Sequence, residues 1–268
     1  MISGNKIAWA TAMIATTALT ACGGSSNTSV SQLAIAATTV TAGNDVIVVA
    51  PNGSGGLDIT VGGGTTAYVA DAAKNAGGFD GFDDATNSVI AHYGESTSGS
   101  VSAAVATTTA DATFSGATYE RTAAGSVPVS GTAGYAGSYV GVLTDDASDV
   151  TANYVAGDVA LTANFDSTTI SGTITNRTGF STVTGGSTAT FADLTLNGGS
   201  ISASGAFSGS ASGGEILGVG GASASGTYNG LIAGAAADEA VGSVTLSHSQ
   251  PGAPDPITAT ELGVFIAE

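Results

Sequence analysis

Through the C-terminal half of the chain, apolar or small residues alternate with hydroxyl residues at every second position. Residues 170–176 read Ile-Ser-Gly-Thr-Ile-Thr-Asn and put Ile170, Gly172 and Ile174 on one face. Residues 201–209 align Ile201, Ala203, Gly205 and Phe207 against serines in the same way. A repeat of two marks a strand with one buried face, and the longer repeat of an amphipathic helix is absent. Eight strands are predicted after Tyr135, at 137–143, 154–165, 168–177, 188–196, 200–209, 223–233, 239–247 and 260–267. Turn-forming residues separate them, among them Asp166-Ser167, Gly185-Gly186 and Asn197-Gly198-Gly199. Glycine and asparagine there supply the positive φ that tight hairpins need. Eight sequential antiparallel strands can close on themselves and so lose both free edges. The pattern predicts an all-β chain whose residues 127–268 form an eight-stranded antiparallel up-and-down β-barrel.

The N-terminal half is less regular. Apolar or alternating runs at 33–41, 45–50, 57–61, 67–70, 89–93, 101–107 and 112–121 are separated by glycine-rich breaks. They predict a smaller β-rich domain over 33–126, packed against the barrel. Within it, residues 77–87 read as an exposed loop that is both aromatic and acidic. Phe79, Phe82, Asp83, Asp84 and the nearby Tyr93 are its candidate ligand-binding residues, because aromatics with few lysines around them are interface material. The same aromatics would equally serve a small satellite core.

Composition decides between order and disorder. The chain has 41 glycines, yet 43% of its residues are hydrophobic, more than a disordered chain carries. Lys and Arg number 4 against 21 Asp and Glu, for a net charge of −17. Such a surface repels phosphate backbones and anionic lipid head groups, which excludes nucleic acid as a partner.

At the N-terminus, Lys6 precedes an apolar run from Ile7 to Leu19, too short to span a bilayer as a helix. The layout is that of a secretory leader, residues 1–21. Leu19-Thr20-Ala21-Cys22 resembles a bacterial lipobox, and Cys22 is the single cysteine of the 268 residues. The resemblance implies that Cys22 is lipidated, that a tether over 22–32 follows, and that the chain is anchored in a membrane. Gly23 in place of an inner-membrane retention aspartate points to the outer membrane. The many outward Ser, Thr and Asn positions are not those of a membrane-spanning barrel.

The chain lacks a Gly-x-Ser-x-Gly elbow, a phosphate-cradling Gly-x-x-x-x-Gly-Lys loop and a Gly-x-Gly-x-x-Gly after a strand. Its histidines, His92 and His248, read as strand residues. Asp80, Asp83 and Asp84 form one acidic cluster and Asp145, Asp146 and Asp149 another, but neither has the spacing of a calcium loop. The expectation is a protein that is not an enzyme and takes no cofactor or metal. Asp238 and Glu239 sit in an alanine-rich connection, and one or the other is expected to accept backbone N–H groups that the turn leaves unpaired.

Three stretches resemble transferrin-binding-protein-like surface lipoproteins of Gram-negative bacteria. Val127 to Gly141 is similar to the family's P-x-S-G-T-A-x-Y-x-G-x-Y-x-G opening of the barrel. Gly226-x-Tyr228-x-Gly230 with Asp238-Glu239-x-x-Gly242 is similar to its G-x-F-x-G-P-x-A-x-E-x-x-G strand–turn–strand. Leu262 to Ala267 is similar to its closing strand. Leu231 stands where the family has proline, and the lysines common near the closing strand are missing. The resemblance implies a barrel beside a handle-like domain, display on the cell surface and capture of an extracellular protein or an iron- or haem-bearing nutrient. A TonB-dependent receptor is the membrane partner such uptake implies. Family members repeat the domain pair, and this chain has room for one copy. The alternative is a structural or adhesive envelope lipoprotein without a soluble ligand. A serine hydrolase using His92 or His248 comes third.

Overall fold

The computed structural model describes residues 30–36, 47–52, 54–61, 64–84, 89–108, 115–121, 127–145, 153–182, 184–215, 222–250 and 257–268. Cys22, the leader, Asp146 and Asp149 lie outside the described residues.

The first sheet contains β1 (Val30–Ala36), β2 (Ile47–Pro51), β3 (Leu57–Val61), β4 (Gly64–Ala70), β5 (Asp80–Asp83), β6 (Val89–Glu95), β7 (Val101–Thr108) and β8 (Ser115–Arg121). A single 3-10 turn, Ala72–Lys74, bridges β4 and β5. The strand order is β1-β8-β7-β6-β5-β4-β3-β2, and the sheet curls until its edge strands β1 and β2 approach within 8 Å. Seven of these strands fall on predicted apolar runs. The eighth, β5, replaces the predicted exposed loop, because Asp80 to Asp83 pair with Tyr93 to Ile90 of β6. Val30–Gln32, assigned to the tether from composition, belong to β1, which pairs with β8.

The second sheet contains β9 (Thr132–Asp145), β10 (Asn153–Asn164), β11 (Thr169–Ser181), β12 (Ser187–Thr190), β13 (Leu194–Ile201), β14 (Ala206–Gly213), β15 (Ser223–Ala233), β16 (Glu239–Gln250) and β17 (Ile257–Ala267). All but β12 form a sequential antiparallel meander, and pairing of β17 with β9 closes it into the predicted eight-stranded barrel. The short β12 pairs only with the end of β11.

Two predicted strands are displaced. Asn197-Gly198-Gly199 is not a turn but a bulge inside β13, where the register against β14 shifts between Leu196 and Ser200. The turn falls at Ser202–Gly205, with Gly205 at φ +82° and Ile201 paired with Phe207. The alternation across 200–209 therefore belongs to two strands facing each other around a hairpin, and the parity survives because the loop keeps both apolar ends inward.

The barrel interior is solid. Tyr139, Leu161, Ile170, Ile174, Leu194, Phe207, Tyr228, Val244 and Phe265 fill it, each no more than 3% exposed. Inward glycines make room for the rings. A Cβ on Gly263 would lie 2.2 Å from the Tyr139 hydroxyl, and one on Gly230 would lie 2.3 Å from the Phe207 ring. The barrel's outer wall divides in two. Val140, Val142, Leu231, Val241, Leu262 and Val264 are buried against Ile90, Val101, Val105, Ala117 and Tyr119 of the first sheet. On the free side a lateral row Thr173–Thr195–Ser212–Ser225–Ser247 runs across five strands with every member exposed. A lipid-facing barrel needs an apolar band where this row carries hydroxyls.

Candidate functional site: the seam between the lobes

The chain's few cations are spent inside. Lys74, Arg121 and Arg177 are all buried, so no basic side chain is exposed among the described residues. Each has a defined task. Lys74 is paired with Asp71 at 3.4 Å and with Asp83. Arg121 donates from Nη1 to the Ile232 carbonyl at 2.8 Å, tying β8 to the barrel. Arg177 lies inside the barrel, where its Nη2 donates to both oxygens of Glu261 at 2.6 Å. Its Nη1 donates to the carbonyls of Ala192 and Gly214, and the guanidinium stacks over Phe191, 5.1 Å from the ring centre.

Glu261 also accepts from the Tyr139 hydroxyl at 2.6 Å and lies 2.8 Å from His248 Nε2. Burial alone would push this carboxyl up. The Arg177 charge and the bonds from His248 and Arg177 more than reverse that, and its pKa falls to about 2. Burial and the adjacent Glu261 charge hold the Tyr139 phenol well above its ordinary value. Tyr, Glu and His in mutual contact have the parts of a proton relay. Glu261 and Arg177 have no solvent exposure, and His248 keeps 9% of its side-chain surface in solvent. The cluster braces four strands at one end of the barrel.

His92, on β6, is likewise fully buried. Its ring lies 4.7 Å from Tyr154, which stacks on Phe180, and neither ring nitrogen has a hydrogen-bond partner. Burial first, and the Lys74 charge second, lower its pKa to about 3. His92 thus has no solvent exposure, and His248 has 8%.

The residues proposed from sequence as a contact loop divide. Phe79 is 2% exposed and packs in the seam core, and Phe82 is 5% exposed inside the curl of the first sheet, beside Leu57, Ile59 and Tyr68. The reading of this segment as exposed is corrected for both. Phe79, bridged to Ala76 just before β5, turns toward the barrel, and Phe82 within β5 turns into the curl. Asp83 is half-buried on Lys74, and the half-buried Asp84 raises the pKa of Tyr68 by its charge, after burial. Tyr93 is half-buried and donates to Glu95; burial, that bond and the charges of Glu95 and Glu120 push its phenol up.

Phe79 and Glu95 meet again in a groove of 250 Å³ at the junction of the lobes. Its floor is Phe79, Ala136 and Ile266, and Glu95, Ser138 and Glu268 stand at its rim. Glu95 comes from β6, Ala136 and Ser138 from β9, and Glu268 follows β17. The walls are held in register from both sides. Glu268 pairs by backbone with Ala136 in both directions at 3.0 Å, and its Oε1 accepts from the N–H of Thr97. Glu239, 5% exposed, accepts from Ser96 Oγ at 3.1 Å and from Ser98, across the seam. The expectation that this carboxylate caps its own turn is corrected. The first sheet's β6–β7 turn supplies the donors instead, which no local sequence signal could indicate. Tyr119 adds a bond to Asn229 at 2.6 Å. Sequence reasoning singled out Phe79 and Tyr93 but missed Glu95, Glu268 and the internal Arg177–Glu261 pair, whose partners are far apart in the chain.

No protein-family model matches the chain, and no curated protein does. It is similar to solved structures of transferrin binding protein B. For the isotype 1 protein from serogroup B Neisseria meningitidis, the likeness covers 79% of this chain and 39% of that one, at 16% identity and a TM-score of 0.43. For a single mutant of the Haemophilus parasuis Hp5 protein it covers 88% and 45%, at 10% identity and a TM-score of 0.46. For a double mutant of the same protein it covers 67% and 34%, at 14% identity and a TM-score of 0.41. The chain spans less than half the length of each of these structures.

Proposed function

We propose that this chain is a non-enzymatic lipoprotein, anchored through Cys22 in the outer membrane and displayed at the cell surface, that binds an extracellular protein or a metal- or haem-bearing nutrient. The barrel is the rigid scaffold, and the first sheet with its seam provides the contact surface. The observation that carries this reading is the distribution of polar chemistry. Both histidines and all three described cations are enclosed and committed to internal contacts, while the outer surface offers carboxylates, hydroxyls and a groove at the lobe junction. Such a surface recognises partners and has no group poised for bond-making.

Two measurements test it. Cys22→Ser should release the protein from the membrane fraction, and mass spectrometry of the native N-terminus should show a diacylglyceryl cysteine. The lipid-free chain, immobilised and washed with host fluid or spent medium under iron-limited and iron-replete conditions, should retain a partner. Retention of none in either condition would contradict the binding role.

A further inference from the structure

The groove at the seam combines an apolar floor with an acidic rim, and each half has a separate cause. Phe79, bridged to Ala76 just before β5, and Ile266 of β17 bring their faces to the floor, both buried in the seam core. Glu95 stands at the rim with the Tyr93 hydroxyl donating to it, and Glu268 stands opposite with the Thr97 N–H donating to it. Glu95 also heads a lateral row: it pairs with Ser102 of β7, which pairs with Glu120 of β8, whose carboxylate accepts from Ser102 Oγ at 3.3 Å. With every described cation buried elsewhere, no exposed basic residue of the described surface offsets these charges.

We propose that this groove takes a lysine- or arginine-bearing segment of a protein partner, a proposal that rests on the binding role given above. The aliphatic stem of such a side chain lies along Phe79 and Ile266, and its charged head reaches Glu95 and Glu268. A volume of 250 Å³ suits one long side chain and is below the usual range of a cofactor site. An anionic ligand would meet only like charge, and a purely apolar segment would displace the water that these two exposed carboxylates keep beside their internal donors. Among the described residues no group of three His, Cys, Asp or Glu could hold a metal ion, which leaves an organic cation as the chemical match. Because both walls are tied across the seam by Glu268–Thr97 and Glu239–Ser96, the groove is preformed and loses little freedom on binding.

The test uses the purified full chain in detergent and a fluorescent oligo-arginine peptide, followed by anisotropy. Saturable binding that weakens with added salt is expected. Glu95→Gln should weaken it about tenfold, the value of one charge-assisted contact. Ser138→Phe, which fills the groove and leaves every charge in place, should abolish it. Asp193→Asn, an equal charge loss at an exposed position outside the groove, should leave it unchanged. Equal weakening by Glu95→Gln and Asp193→Asn would overturn the groove in favour of general acidity. So would full binding by Ser138→Phe, or failure of the peptide to bind at all. If the wild-type chain retains a partner from medium and Ser138→Phe retains it equally, the groove falls and the binding role stands.

Discussion

The barrel and the curled sheet each enclose a lysine or arginine, and they do it differently. Arg177 is sealed in a closed lumen, where one carboxylate, two carbonyls and an aromatic face receive it. Lys74 sits on the 3-10 turn between β4 and β5 of the curled sheet, and its partners Asp71 and Asp83 keep 34% and 14% of their side-chain surface in solvent. The barrel completes its own core because its last strand returns to its first. Among the described residues, the curled sheet encloses Leu57, Ile59, Tyr68, Phe82, Ala91 and Ala106 within itself, with Tyr93 packed against them, and spends its other face on the barrel wall. One lobe is self-sufficient, and the other is finished by its neighbour. Stability in the second lobe therefore resides in the seam.

Acid separates the two most sharply. His92 titrates at about 3 in the folded chain, below its ordinary value of 6.5. Between those values the unfolded chain binds the proton and the folded chain does not, so stability is lost as pH falls from about 6.5 to about 3. At about 1.4 kcal/mol per unit, the loss is on the order of 5 kcal/mol. Glu261 titrates at about 2 against 4.5, so its contribution is intact above about 4.5 and fades only as pH falls toward 2. The seam should open in mild acid while the barrel persists. Hydrogen exchange across a pH series reads this directly, with β6 and β7 losing protection before β16 and β17. His92→Phe removes the titrating group and should flatten the upper part of the profile. Simultaneous loss in both lobes would erase the distinction between them.

Smaller but still large is the effect of breaking the internal pair. Arg177→Met leaves Glu261 buried with only Tyr139 and His248, and should cost about 3–5 kcal/mol in urea unfolding followed by circular dichroism. Lys74→Met removes a cation whose partners can turn to water, and should cost about 1 kcal/mol or less. Equal costs would mean that the Lys74 site is as dry in solution as the lumen.

Periodicity was enough to read the barrel, because a closed meander asks each strand only for alternation and each connection only for a turn. It failed where two turn signals competed within a few residues. Asn197-Gly198-Gly199 has the stronger turn composition, but Tyr228 fills the space beside it, donating its hydroxyl to the carbonyls of Asn197 and Ile170. The glycines are needed there for close approach, since a Cβ on Gly199 would lie 2.7 Å from that hydroxyl. A glycine serving packing looks like a glycine serving a turn. The aromatic loop misled for a related reason: Phe79-Asp80-Gly81-Phe82-Asp83 is too short to show its own alternation, and both of its buried faces are supplied by distant strands. The hydrogen bonds named across the seam join residues 110 positions or more apart in the chain, as Tyr119–Asn229 and Ser96–Glu239 illustrate, and carry no local signature.

The smallest effect isolates the seam itself. Glu239 leaves the barrel at the start of β16 to accept two serine hydroxyls of the first sheet, and Ser96 Oγ in turn accepts from the Val101 N–H at 3.3 Å. Glu239→Gln keeps the shape and one acceptor but loses the charge, and should cost about 1 kcal/mol, the net value of a hydrogen bond of this kind. Ser96→Ala should cost a similar amount and, combined with Glu239→Gln, less than the sum, because both remove the same contact. A lobe that depends on its neighbour should show this loss first as faster exchange in β7, with β13 and β14 on the far side of the barrel unmoved. Full additivity of the pair would mean that Ser96 acts within its own turn and that Glu239 holds the lobes together through Ser98 alone.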